Sequence, residues 1–471
     1  MQNRDRLFYQ YALLNLAVLQ ADFGCYQEAV AAMLETVATA RENKDMGCLN
    51  FSLSWLNHFG KAHPSVLNAT DKTNMLGTER EGLAFLRLKA KESGMWSLWS
   101  SSLLSEAKMT LSKGESVASA FENILRSSEL SVTKNMMNNV GVQMMLQSSL
   151  WSRLGATHLA WTYCEVFLRS HSRYAPFDDI LKFSCRSAYL LSQKGSYTEG
   201  RKKLNALDAN SLRSLKASQY WALFRGILTL QELLHKDKLT EAELILPRLL
   251  QSRGGDPDLS FELNLLHIDA LMRRGDYSAA LRLIEDIAAD LRGEGEDVFF
   301  RVKLLCLKTH VFIRCGRPQK GFSIAVRAAT MAWRARLLPS LWESLGLIAC
   351  ILSSLEEFAA AESILEAVLP RALECEDPML VAQLWSWKVD ADMGQAGQTD
   401  KGSSKRREKF ISALEGLERS FEAWAKLGEA KKMRECLAKR AVVLKQLGEK
   451  ELVADAIAAY ERLRLGEGIA A

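Results

Sequence analysis

Proline is scarce in this chain of 471 residues, with 8 in all, and Pro176, Pro339 and Pro378 stand where helices would begin. Two others, Pro247 and Pro370, fall inside apolar second helices (Leu244 to Leu250, Ile364 to Leu373) and should kink those helices or end them early. Sustained period-two alternation between hairpin turns is missing, which argues against a β fold. No apolar run approaches the roughly 18 residues of a membrane span. The N-terminus is charged and amphipathic, unlike a secretory leader. The 9 cysteines are an odd number and show no close pairing. Cys25, Cys164, Cys306 and Cys350 lie in helical apolar patterns and read as small core residues in a reducing compartment.

The residue patterns of catalysis are missing too. Only His58 and His63 are close among the 7 histidines, and they are five positions apart across a turn. A metal pair on a helix face needs three or four. There is no phosphate loop of the strand–turn–helix kind and no Gly-x-Ser-x-Gly elbow. The expectation is a protein that is not an enzyme and has no cofactor, no metal site and no membrane partner.

What the sequence does hold is a recurring turn. Gly24-Cys25-Tyr26-Gln27-Glu28-Ala29 returns as Gly195-Ser196-Tyr197-Thr198-Glu199-Gly200 and as Gly275-Asp276-Tyr277-Ser278-Ala279-Ala280. Two antiparallel helices joined tightly need a residue that tolerates the left-handed conformation where the first helix ends. Two positions on, an aromatic plugs the diverging helices. Three further on, a small residue lets the second helix approach the first. Weaker copies are Gly155 with Ala160, Asp237 with Ala242, Gly316 with Gly321, and Glu356-Glu357-Phe358 with Ala361. The turn residues 155, 195, 237, 275, 316 and 356 are separated by 40, 42, 38, 41 and 40 positions, and Gly448 marks a last turn.

A period of about 40 exceeds the 34 of a tetratricopeptide repeat, but the small–aromatic–small pattern favours that type with lengthened helices over HEAT repeats. The predicted fold is all-α, a tetratricopeptide-like helical-repeat solenoid wound as a right-handed superhelix. The array should cover residues 1–393. A basic Gly/Ser loop at 394–408 should interrupt it, and C-terminal repeats with a capping helix should follow over 409–471.

Acidic residues are absent from Val298 to Trp342, while nine basic ones fall there. Five of these, Arg314, Arg317, Lys320, Arg327 and Arg334, are candidate partner-binding residues, and an acidic protein segment is the fitting partner. Nucleic acid is not expected, because Phe299, Phe300, Phe312, Phe322 and Trp333 read as helical core positions, not as a stacking platform. The cluster Lys401, Lys405-Arg406-Arg407 and Lys409 has the composition of a nuclear localisation signal but reads as an exposed loop.

The opening residues carry a family resemblance. Tyr11-Ala12-Leu13-Leu14-Asn15-Leu16-Ala17-Val18-Leu19 leads into Phe23-Gly24-Cys25-Tyr26-Gln27-Glu28-Ala29. Ala38 to Asp45 follows, then Cys48-Leu49 with Ser52-Leu53-Ser54-Trp55-Leu56. This segment resembles the start of the tetratricopeptide region of the family of anaphase-promoting complex subunit 5. The match is specific over about the first sixty residues and diffuse beyond. Members of the family carry a further helical domain before this region, so the chain resembles their C-terminal array alone.

The resemblance implies a non-catalytic scaffold in the platform of a cullin–RING ubiquitin ligase that marks cell-cycle regulators in mitosis. It implies as partners the platform subunits 1, 4 and 15 and neighbouring tetratricopeptide subunits, with localisation to nucleus and cytoplasm. A rival reading is a peptide- or ligand-sensing tetratricopeptide domain of a transcription regulator. That reading needs a concave groove lined by convergent polar and aromatic side chains.

Overall fold

The structure, a computed structural model, describes residues 2–63, 66, 79–252, 256–291, 297–400 and 403–465. Among them are twenty-two α-helices, two short 3-10 turns and no strand. The chain divides into two compact units at Leu146 and Gln147, where the sequence pattern predicts one continuous array to residue 393. The first unit contains α1 (Gln2–Asp22), α2 (Tyr26–Glu42), α3 (Met46–Ala62), α4 (Glu79–Glu92), α5 (Trp96–Ser112) and α6 (Val117–Thr133). Helix α7 (Val140–Arg153) includes the division.

The second unit continues with α8 (Thr157–Ser170), α9 (Phe177–Gln193), α10 (Tyr197–Asn205), α11 (Leu215–His235), α12 (Leu239–Gln251), α13 (Pro257–Arg274) and α14 (Tyr277–Asp290). Then come α15 (Val298–Arg314), α16 (Gln319–Arg334), α17 (Leu338–Ser354) and α18 (Phe358–Leu373). Helices α19 (Pro378–Gln398), α20 (Ser404–Leu427), α21 (Ala430–Leu447) and α22 (Lys450–Arg464) complete it.

The 40-residue period is clearest from α15 to α18. Helices of 16 or 17 residues alternate with connectors of three or four. Gly316, Arg336, Glu356 and Glu376 each take a left-handed backbone there, one every 20 residues. The turn therefore recurs at half the period read from the sequence. Polar residues such as Lys44, Asn135, Asp237 and Arg336 occupy many of these positions. Each does so at a cost of about 1–2 kcal/mol that glycine avoids; the repeat pattern flags Asp237 but not Lys44, Asn135 or Arg336.

Small residues set the helix spacing. Ala29, Ala160, Ala280 and Ala361 are fully buried. A Cβ on Gly200 would sit 3.1 Å from the Ala188 carbonyl oxygen, and one on Gly321 3.2 Å from Thr309 Cγ2. Helix α16 turns Gly321, Ala325, Ala328 and Ala332 inward. Ala325, Ala328 and Ala332 join a core that includes Leu347, Leu365, Ala372 and Leu384.

The second unit also closes on itself across many repeats. Arg153 is paired to Asp297, and Thr157 Oγ1 donates to the Cys375 carbonyl at 2.8 Å. A Cβ on Gly155 would meet Cys375 Sγ at 2.7 Å. At Gly195 it would lie 1.9 Å from the Lys426 carbonyl oxygen, so that turn admits only glycine for two separate reasons. Arg273 donates to both Glu429 oxygens at 2.8 and 3.0 Å, and Arg434 pairs with Asp237.

Several sequence expectations change. The 394–408 stretch is mostly helical, with α19 running to Gln398 and α20 starting at Ser404; Lys401 and Gly402 lie outside the described residues. Gly394 is a packing glycine, because a Cβ there would fall 2.2 Å from the Phe358 ring. Both Pro247 and Pro370 lie inside helices, which run on to Gln251 and Leu373. Cys25 is exposed where α2 begins, whereas Cys164 and Cys306 are buried.

Candidate functional site

The acid-free stretch is built by α15, the turn after it, and α16. The structure sorts seven of its nine basic residues into two groups. Lys303 is held at 2.7 Å by Glu343, and Lys308 reaches Glu285 at 2.9 Å. Burial opposes the charge of Lys303, but Glu343 holds its ammonium above the ordinary lysine range. Burial likewise opposes ionisation of Glu343, yet Lys303 and His310 pull it down to about 2. That pair is structural.

The other group is Arg314, Arg317, Lys320, Arg327 and Arg334, all exposed. None of them makes an ion pair among the described residues. Lys320, Arg327 and Arg334 recur every seven residues and so share one stripe of α16. Arg314 and Arg317 flank Gly316 at the preceding turn. The five residues selected from the sequence thus lie along α16, the turn leading into it and the last residue of α15.

Two of the expected core aromatics are elsewhere. Phe322 and Trp333 are exposed, while Phe299 and Phe300 are half-buried, with Phe300 stacked on Phe261 at 4.0 Å. The inward run of Gly321, Ala325, Ala328 and Ala332 carries the signal that was missed. A helix that buries its small residues must turn the large ones between them outward.

The repeat turns are structural in detail. Gly24, Gly155, Gly195, Gly275 and Gly316 all have positive φ. Tyr26 stacks on His63 at 4.0 Å, and Tyr277 packs against the core cluster that includes Ala280 and Ile284. Tyr197 is buried and shares a 2.8 Å hydrogen bond with His235 Nδ1. Beside it, Arg273 also donates to Asp269 Oδ2 at 2.8 Å and the Leu234 carbonyl at 2.7 Å. Burial lowers the His235 pKa by disfavouring the charged ring. This polar knot fastens the turn between α20 and α21 to α11 and α13.

The opening segment has its own network. Asp45 caps α3 by accepting from the Cys48 amide at 3.0 Å. It also accepts from the Tyr11 hydroxyl at 2.7 Å and Gln10 Nε2 at 3.1 Å. Asn43 Nδ2 donates to Gln10 Oε1 at 2.8 Å. The hydrogen bond to Asp45 pushes the Tyr11 hydroxyl up to about 12. These polar residues tie α1 to the turn between α2 and α3, which gives the segment's sequence pattern a physical reason.

In the first unit, α4, α5 and α6 enclose a groove of about 690 Å³ lined by Leu83, Leu88, Trp99 and Met109 with Arg87 and Lys91. Arg87 pairs with Glu106 at 2.7 Å, and Lys91 lies 5.6 Å from the Trp99 ring centre. Among the described residues no group of three His, Cys, Asp or Glu side chains is placed to hold a metal, and no helix is long and apolar enough to cross a membrane.

Comparison with known proteins gives sequence matches over a short opening segment and over most of the chain. Residues 1–63 match the family model described as anaphase-promoting complex subunit 5. The protein of that name from Schizosaccharomyces pombe is 25% identical over 382 residues, 81% of this chain and 50% of that protein. The human protein of the same name is 46% identical over 52 residues, 11% of this chain and 7% of its own length. The chain thus spans about half the length of the fission-yeast relative and a small part of the human one. A solved structure described as the crystal structure of the APC/C hetero-tetramer Cut9–Hcn1 covers 97% of this chain and 86% of that one, at 14% identity and a TM-score of 0.49. The resemblance read from the first helices extends along most of the sequence: over 81% of its length the chain is similar to anaphase-promoting complex subunit 5.

Proposed function

We propose that this chain is the repeat-array part of a non-catalytic scaffold subunit in an anaphase-promoting complex, a multi-subunit cullin–RING ubiquitin ligase. It holds neighbouring subunits, including platform subunits 1, 4 and 15 and other tetratricopeptide subunits, while regulators of mitosis are ubiquitinated in nucleus and cytoplasm. The observation that carries this reading is the similarity to subunit 5 running through the helical repeats of both units. Arrays of this kind function by surface, since each repeat adds exposed faces and none creates a reaction centre. The test is affinity purification of the tagged natural protein from its own cells. Recovery with a large ubiquitin-ligase assembly is expected, and a monomer carrying none of those subunits would overturn the proposal.

The groove beside Trp99 supports a second reading, in which the first unit binds a peptide. Trp99 together with Arg87, Lys91, Glu106 and Glu129 gives it the aromatic and polar lining that a sensing domain needs. Titration with peptides from co-purifying subunits, against Trp99→Ala, tests it; equal binding by both proteins would exclude the groove.

A further inference from the structure

Helix α16 presents a two-ridged outer face. On one side Phe322, Val326 and Trp333 are 40%, 41% and 51% exposed. They fall at i, i+4 and i+11, one stripe of a helix. On the other side run Lys320, Arg327 and Arg334, seven residues apart, exposed, and in no ion pair among the described residues. Between the ridges lie the short polar side chains of Ser323 and Thr330, and the Thr330 hydroxyl is turned onto the Val326 carbonyl at 2.8 Å. The Arg336 guanidinium lies 4.4 Å from the Trp333 ring centre and brings a further charge to the apolar side. No carboxylate occurs from Val298 to Trp342, and the flanking Asp297 and Glu343 are held by Arg153 and Lys303.

We infer that this face of α16 docks an acidic, amphipathic segment of another protein chain. The occupant sets apolar side chains against Phe322, Val326 and Trp333 and carboxylates against Lys320, Arg327 and Arg334. Charge complementarity selects it: among the described residues the face has cations in no ion pair beside exposed apolar area. The ridges run about 15–20 Å along the helix, the length of three to four turns of a docked helix. Nucleic acid fits less well, because Val326 stands in the middle of the apolar ridge, where a stacking platform needs a ring. The inference rests on the scaffold reading only in taking the chain to bind proteins, and not on which assembly it joins.

The experiment places a photo-crosslinking amino acid at Ser323 in the tagged natural protein, in its own cells, and sequences the crosslinked peptide. The expected product is a net-negative segment with apolar residues at helical spacing. A synthetic peptide of that segment should bind the purified protein more weakly as salt rises. Lys320→Glu with Arg327→Glu should weaken it at least tenfold, and Val326→Asp, made separately, should do the same, each with an unchanged melting curve. Crosslinks to nucleic acid, lipid or a second copy of this chain would overturn the inference. So would a segment without acidic residues, no crosslink at all, or peptide binding indifferent to both variants. If the assembly still co-purifies in those cases, the scaffold reading stands while this docking site falls.

Discussion

The turns at Gly195 and Gly275 are spelled almost alike and adopt nearly the same backbone, with φ of +85° and +88°. Their surroundings are opposite. A Cβ on Gly275 would meet nothing within 4 Å, whereas one on Gly195 would run into the backbone at Lys426 and Leu427. Tyr197 is buried against His235, while Tyr277 is only half-buried. The repeat pattern therefore specifies how the chain turns, and does not specify what covers the turn. The cover at Gly195 comes from more than two hundred positions away, and only the path of the whole second unit brings it there.

Alanine at the two glycines should separate them most. Gly275→Ala is expected to cost about 1–2 kcal/mol, the ordinary left-handed penalty. Gly195→Ala adds a collision with backbone and should cost about 3–5 kcal/mol. Urea unfolding of both variants measures the difference, and equal losses would mean the covered turn is open in solution.

Next in size is Glu429→Ala, which leaves the Arg273 guanidinium buried beside the covered turn without its two-pronged acceptor. A loss of about 3 kcal/mol is expected, and a neutral result would remove Glu429 from the account of that contact.

The same knot should respond to pH. His235 has a pKa held below its usual 6.5 by burial, so the unfolded chain binds the proton first. Stability is complete above about 6.5 and falls as the pH drops through that value. A second loss follows below about 4.5, because Glu343 and Glu435 are held down to about 2 in the folded protein. Thermal melts of His235→Gln should lack the first decline and keep the second. The smallest effect belongs to Lys194, whose exposed pair with Glu376 borders the same contact. Lys194→Ala should shift stability by less than about 1 kcal/mol.

Much of the repeat was legible because its determinants are local. Glycine at positive φ and alanine at a close crossing are dictated by the neighbouring turn, so the spacing of Gly155, Gly195, Gly275 and Gly316 shows in the sequence. The exposed state of Arg314, Arg317, Lys320, Arg327 and Arg334 was legible for a similar reason, since the stretch offers them no acid. The intervening turns were not, because Arg336 and Glu376 adopt the left-handed conformation without any residue type that demands it. Gly394 looked like a loop residue because nothing in its vicinity names Phe358 as the ring that needs the space. Phe322 and Trp333 read as helical core positions in the sequence, against the stronger signal of four small residues on another face of α16.

The contacts that join distant repeats also govern how the second unit comes apart. In a simple array each repeat answers only to its neighbours, and the outer ones fray first. Here the bond from Thr157 to Cys375 spans 218 positions, and the turn between α20 and α21 caps the one that starts α10. Such links raise the mean sequence separation of contacts, which slows folding, and they couple fragments that would otherwise melt separately. Hydrogen exchange in α9 and α10 should therefore quicken when α20 and α21 are loosened, although neither pair is adjacent in sequence to the other. The unit gains all-or-none unfolding that a one-dimensional stack of the same helices would lack.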